Sequence, residues 1–303
     1  MPTIGRFAPS PTGTLHLGNL RTALASWLSV KAAGGKWLVR IEDVDRSRSR
    51  PPLADDQLRD LAALGLESDG PVLWQSRRED AYGAALRRLF QLGALYPCVC
   101  TRKDLALLAS APHEGEGLRP YLGTCRERSL EALQLEALRF RLPEGPVSWE
   151  DRLLGRQQDL PSALTGDPLL YRRDGCHAYH LAVVVDDGAQ GVGEVVRGAD
   201  LRGVTATQIL LQEALALPRP AYAHLGLVTD PTGARLGKRE GALGLEALKA
   251  KGHAVPAILG WLGWSLGCLD RPEPCAAGDL VAGFRWERVP RGEIRAPLDW
   301  SQT

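Results

Sequence analysis

The stretch Arg6-Phe-Ala-Pro-Ser-Pro-Thr-Gly-Thr-Leu-His-Leu-Gly-Asn19 leads from a strand-like run at 4–8 into a helical pattern over 19–33. Its residues describe a tight exit from a strand into a helix. Pro9 and Pro11 fix their own φ and hold the residues before them extended. Gly13 permits a turn, and Gly18 removes a Cβ where a flat adenine ring or a ribose could lie against the backbone. A helix that starts near Gly18 aims its unpaired N–H groups and the positive end of its dipole at the same space. His16 then stands as a side-chain donor beside a phosphate.

Outward from this stretch, strand-like and helical runs alternate. Strands are expected over 4–8, 37–41, 72–74, 178–185, 192–196 and 221–228, and helices over 19–33, 53–64, 77–92 and 203–216. That rhythm predicts a parallel sheet with helices on both faces, an α/β nucleotide-binding fold. The run at 178–185 is nearly all apolar, as in a strand buried on both faces. Between Cys98 and Arg152 the rhythm gives way to cysteines, glycines and polar segments. The expected division is a Rossmann-like domain from 1–97 and 153–243, an inserted subdomain at 98–152 and a short helical region at 244–303.

Composition narrows the function. Hydrophobic residues make up 44% of the 303 positions and charged residues 24%, enough for a real core. A net charge of +1 gives no bulk attraction to a polyanion, so any nucleic-acid contact must come from a local basic patch. The first residues lack the basic and apolar regions of a signal peptide. The longest apolar run, 254–269, contains Pro256 and three glycines and is too short to span a bilayer; it reads as a buried helix. Six cysteines without a secretory signal argue against a disulfide framework. A cytoplasmic protein with no membrane partner, and a monomer, is expected.

His16-Leu-Gly-Asn19 alone fits an ordinary Pro/Gly turn with a surface histidine, or a nucleotidylyltransferase whose HxGH motif occupies the same place. With its flank RFAPSPTG, with Trp37-Leu-Val-Arg-Ile-Glu-Asp-Val-Asp-Arg46 and with Gln75-Ser-Arg-Arg78, the chain resembles the glutamyl branch of class I aminoacyl-tRNA synthetases. The resemblance implies that branch's catalytic domain, with ATP held by His16, Gly18, Asn19 and Lys238, and Mg²⁺ accompanying the ATP. L-glutamate presents two carboxylates and one ammonium, which suit arginine forks and an acidic side chain. Arg6 and Glu42 end parallel strands at the carboxyl edge of the sheet, where ligands bind in such folds. By resemblance, Arg6, Phe7, Ala8, Pro9, Ser10, Glu42, Tyr179 and Arg197 form the glutamate site. On chemistry alone, Arg197 could be a surface ion-pair residue and Tyr179 a core aromatic. His180 stands where the family has asparagine, which is expected to alter the polar edge of the pocket.

Arg235-Leu-Gly-Lys-Arg239 resembles the KMSKS loop, with Lys238 at the second lysine and Gly237 replacing the usual serine. His16 and Lys238 are then the catalytic pair. Cys98-Val-Cys100 and Tyr121-Leu-Gly-Thr-Cys125 suggest a structural Zn²⁺ held by three cysteines. His113 and Glu127 are chemically reasonable fourth ligands, the resemblance points to Tyr121, and three reduced buried cysteines are the alternative. After the basic loop only 240–303 remain, too little for anticodon-reading helical domains. The chain therefore resembles the truncated paralogues that activate glutamate without tRNA and transfer it to queuosine at the wobble position of tRNA(Asp). Arg46, Arg48 and Arg50 are candidate contacts to that anticodon loop. A shortened enzyme charging tRNA(Glu), or a non-catalytic RNA-binding paralogue, are the competing readings.

Overall fold

The computed structural model describes residues 3–101, 120–133, 136–234, 236, 243–297 and 300. The strands are β1 (Ile4–Phe7), β2 (Lys36–Ile41), β3 (Leu73–Trp74), β4 (Leu95–Pro97), β5 (Leu138–Phe140), β6 (Val147–Asp151), β7 (Gly155–Asp159), β8 (Leu169–Tyr171), β9 (Glu194–Gly198), β10 (Ala221–Leu225), β11 (Val228–Thr229) and β12 (Ile294–Arg295). A seven-stranded sheet runs in the order β3-β2-β1-β9-β10-β6-β7, all parallel except the β6–β7 hairpin. The helices are α1 (Leu17–Ala32), α2 (Pro51–Ala63), α3 (Glu79–Gln91), α4 (Pro161–Leu164), α5 (Tyr179–Ala189), α6 (Thr205–Ala214), α7 (Leu245–Ala250) and α8 (Val255–Ser265). Among the described residues, no helix is long and apolar enough to cross a membrane.

Strand alternation divides the sheet into two unlike faces. Phe7 on β1, Trp37, Val39 and Ile41 on β2, and Val196 on β9 belong to the core under α1. Their neighbours Arg6, Arg40 and Arg197 therefore turn to the opposite face, and all three are buried. One face is a hydrocarbon core; the other carries buried charge toward the carboxyl ends of the strands.

The run at 178–185 is a helix, not the expected strand: Ala178 is extended and α5 begins at Tyr179. The helix packs against α3, α6 and β8. Leu181, Ala182, Val183 and Val184 share one core with Tyr82, Phe140 and Leu211. A helix covered on most sides needs no polar stripe, so its sequence lacks the period that separates helix from strand. The segment expected as an insertion contributes to two sheets. β5 lies between β4 and β8 in a three-stranded antiparallel sheet, while β6 joins the main sheet beside β10.

The tail supplies a strand as well as helices, with β12 pairing in parallel with β11. It also reaches the interior of α1. The buried Arg21 donates to the carbonyl of Gly226 at 2.8 Å, and to the Ser265 hydroxyl and carbonyl at 3.2 and 3.0 Å. Burial lowers its pKa to about 10. Gly226 is required by close approach, since a Cβ there would lie 1.9 Å from the carbonyl oxygen of Gly292.

Candidate active site

The His16-Leu-Gly-Asn19 segment is a helix cap. His16 is the N-cap of α1, and its Nδ1 accepts from the backbone N–H groups of Gly18 and Asn19 at 3.1 and 3.4 Å. The Asn19 side chain returns the bond, accepting from the His16 backbone N–H at 3.2 Å. This is a capping box built from histidine and asparagine. Because Nδ1 accepts, the imidazole proton sits on Nε2. Gly18 also leaves room for His16 itself, since a Cβ there would lie 3.0 Å from the ring, a tight contact to which the imidazole would have to yield.

The turn before the cap is held from below. Gln57 on α2 donates from its side-chain amide to the carbonyls of Ser10 and Gly13 at 3.1 and 2.8 Å. The Glu42 N–H donates to the carbonyl of Pro9 at 2.9 Å, which ties the end of β2 to the same turn. The far end of the basic segment is fastened here too, because the Leu17 N–H donates to the carbonyl of Leu243 at 3.0 Å.

A cleft of about 310 Å³ opens above these elements, a size suited to a small ligand. Its walls include Arg6, Phe7, Ala8, Pro9, Ser10, His16, Gly18, Asn19, Glu42, Tyr179 and Arg197. The structure thus brings every expected pocket residue among those described into one space. Leu236 also lines it, whereas Arg235, Gly237, Lys238 and Arg239 lie outside the described residues. His180 is buried and does not itself line the cleft; its ring meets that of Tyr179, which does, edge-on at 5.6 Å. Of the three arginines expected to meet RNA, only Arg48 lines the cleft. Arg46 pairs with Glu79, and Arg50 donates to the carbonyls of Ser47 and Ser49.

The two pocket arginines differ in how they are neutralised. Arg6 forks onto Asp187 at 3.2 and 3.4 Å, and the same carboxylate accepts from Arg40 at 2.7 Å. Burial alone would raise the Asp187 pKa, but Arg40 and Arg6 outweigh it and hold the carboxyl below its ordinary range. Arg40 also reaches Glu42 at 3.3 Å. There burial wins over Arg40 and Arg6, and the Glu42 carboxyl is pushed above its ordinary range. Glu42 thus shares Arg40 with Asp187, and that pairing compensates its burial only in part. Among the described residues, Arg197 bonds only uncharged acceptors: Gln208 Oε1 and Thr205 Oγ1, each at 2.8 Å, and His224 Nε2 at 3.0 Å. It is a buried cation short of an anion.

Arg40, Asp187, Thr205, Gln208 and His224 were not singled out by motif. A signal existed for Arg40, since an arginine within the otherwise apolar run Trp37-Leu-Val-Arg-Ile41 fits a strand covered on both faces, where a charge is kept only if paired.

Beyond the cleft, the sulfurs of Cys98, Cys100 and Cys125 lie within 4.8 Å of one another, a candidate metal site. The Tyr121 hydroxyl is 3.9 Å from Cys98 Sγ and 3.7 Å from Cys100 Sγ, and Cys100 and Cys125 Sγ are 3.8 Å apart. Thiolates bound tetrahedrally to zinc at about 2.3 Å are separated by about 3.8 Å, so the donors fit. Arg139 lies over the Tyr121 ring at 3.6 Å and donates to Cys98 Sγ at 3.3 Å, a cation placed where anionic sulfur would gather. Glu127 is not in this group, and His113 lies outside the described residues.

Residues 3–269 match the family model for tRNA synthetases class I (E and Q), catalytic domain. The glutamyl-Q tRNA(Asp) synthetase of Symbiobacterium thermophilum is 45% identical over 312 residues, covering 97% of this chain and 96% of that protein. The protein of the same name from Geobacter sulfurreducens is 50% identical over 290 residues, covering 94% and 90%. A glutamate tRNA ligase from Elizabethkingia meningosepticum, solved in complex with its amino acid, superimposes with a TM-score of 0.83 at 25% identity, over 99% of this chain and 68% of that one.

Proposed function

This chain belongs to the class I tRNA synthetases of the glutamate and glutamine group, in the glutamyl-Q tRNA(Asp) synthetase branch, and on that premise we propose that it activates glutamate with ATP and esterifies queuosine of tRNA(Asp). The observation that carries the reading is a cleft that holds Arg197 without a carboxylate partner among the described residues and, in the same space, the incompletely compensated carboxylate of Glu42. Arg197, bonded among the described residues only to neutral groups, takes a carboxylate of glutamate. Glu42, which shares Arg40 with Asp187, takes its ammonium. Arg6 and Tyr179 complete the amino-acid pocket, and Phe7, Ala8, Pro9 and Ser10 form its backbone wall.

In the first step a carboxylate oxygen of glutamate attacks the α-phosphorus of ATP, and pyrophosphate leaves with the bonding pair. The nucleophile is already ionised at neutral pH, so no general base is required. Alignment and neutralisation of charge on the phosphoryl oxygens carry the rate. The Nε2–H of His16 and the N-terminus of α1, beside Gly18 and Asn19, supply donors, and Lys238 supplies a cation by family resemblance. Mg²⁺ bound with ATP would supply further neutralisation of charge on the phosphates. In the second step a hydroxyl of the queuosine cyclopentene-diol attacks the glutamyl carbonyl, an ester forms, AMP leaves, and the hydroxyl proton passes to solvent. The reading is of a monomer acting in the cytoplasm.

Radiolabelled glutamate, ATP and bulk tRNA, prepared with and without queuosine, test this directly. Label is expected only on queuosine-containing tRNA(Asp). Label on the terminal adenosine of tRNA(Glu) would replace the acceptor, and absence of glutamate-dependent pyrophosphate exchange would remove the activity.

We assign the sulfur cluster one structural Zn²⁺ held by Cys98, Cys100, Cys125 and Tyr121, joining segments that have little core of their own. Cys125→Ser is expected to reduce bound zinc from about one ion per chain to well below half, read by elemental analysis. Metal content equal to that of the native protein would exclude the assignment.

A further inference from the structure

On the buried face of the sheet, beneath the cleft, three strands contribute one polar side chain each: Asp151 from β6, His224 from β10 and Arg197 from β9. They form a continuous line. His224 Nδ1 lies 2.6 Å from Asp151 Oδ2, and its Nε2 accepts from Arg197 Nε at 3.0 Å. All three side chains are buried, and only Arg197 reaches the cleft.

Asp151 does more than fill space. Its Oδ1 accepts from the backbone N–H groups of Leu153 and Leu154 at 3.0 and 2.9 Å, which fixes the carboxylate in the turn between β6 and β7. A fixed acceptor facing Nδ1 keeps the proton on that nitrogen. The lone pair of Nε2 is then turned toward Arg197. Burial, with Arg197 adding to it, lowers the His224 pKa to about 4 against the opposing pull of Asp151, so the ring is neutral at physiological pH.

We propose that Asp151 and His224 are positioning residues for Arg197, locking one edge of its guanidinium so that the remaining donors face glutamate, without cancelling its charge. The uncharged ring is essential to this. A carboxylate in direct contact with Arg197 would hold the fork equally well but would also neutralise it, as Asp187 does for Arg6. An imidazole relays orientation and keeps the carboxylate one ring away. Thr205 and Gln208 hold the two terminal nitrogens of Arg197, so His224 is the partner of Nε. The inference rests on the proposed place of Arg197 in the glutamate pocket.

Glutamate-dependent pyrophosphate exchange, with KM measured separately for glutamate and ATP, provides the test. His224→Leu removes the acceptor at similar volume and is expected to raise the glutamate KM about tenfold while leaving the ATP KM within twofold, the loss of one buried bond to a charged group. His224→Gln places an amide oxygen near the Nε2 position and should restore most of the affinity. In an Arg197→Lys background, which lacks the Nε–H, His224→Leu should add less than about twofold, because the two changes act on one contact. If His224→Leu does not fold, Asp151→Asn carries the test, with a rise of about threefold in the glutamate KM expected from a less firmly held tautomer. An unchanged glutamate KM in a folded His224→Leu or Asp151→Asn protein overturns the proposal. So does equal damage from Leu and Gln, or an equal rise in both KM values. If Arg197→Lys itself leaves the glutamate KM unaltered, the fault lies with the glutamate pocket as read above and not with the relay alone.

Discussion

His16→Asn is expected to slow glutamate-dependent pyrophosphate exchange by about a hundredfold or more, with little loss of thermal stability. Two duties of the ring are separated by this choice. Nδ1 closes the first turn of α1, and asparagine is among the best residues for that task. Nε2–H is the donor on the other side of the ring, and asparagine has nothing at that distance. His16→Ala removes both, and should lose about 1 kcal/mol of stability in addition to the same rate. Melting curves with single-turnover rates of adenylate formation distinguish the two. If the asparagine protein reacts within about threefold of the native one, His16 is a cap and no more.

The second large effect concerns stability. Asp187→Asn should lower the unfolding free energy by about 3–5 kcal/mol, because it leaves Arg6 and Arg40 buried without the carboxylate that both share. For a chain of this size the melting temperature should fall by on the order of 10 °C. The direction of the pH dependence follows from the depressed pKa of Asp187. Its contribution is complete above the ordinary carboxylate range and is lost as pH falls through the lower, folded-state value. The native protein should therefore approach the mutant's stability only in strong acid. Denaturant titrations at pH 7 and at acidic pH measure both, and equal stability of the two proteins at pH 7 would mean that the network contributes nothing.

Much of this site could be read from the chain because the motifs carry their own backbone logic. Pro9, Pro11, Gly13 and Gly18 require a turn into a helix start, and the structure has one. Arg6 and Glu42 lie at strand ends, and period-two alternation puts them on one face. The partners that fix those residues were less visible. Asp187, Asp151 and His224 lie 181, 73 and 27 positions from the groups they bind, so no local spacing joins Asp187 to Arg6, Asp151 to His224, or His224 to Arg197. The error at 178–185 has a related origin. Burial on many sides removes periodicity, and without it an eight-residue apolar run is compatible with either strand or helix. His180 shows the limit of matching by position, because a residue beside a pocket residue on a helix need not face the pocket.

Arg21 gives the tail a different standing from that of an appendage. Its guanidinium crosses from the helix that presents His16 to Ser265 at the end of α8, and to Gly226 beside the cleft. Opening the tail would strand a buried cation in the interior of α1, so local unfolding of α8 without α1 carries a heavy penalty. The two helices then belong to one cooperative unit, with amide protons that exchange by a common opening. A substitution along 255–265 is therefore expected to disturb the geometry of His16, although none of those residues lines the cleft.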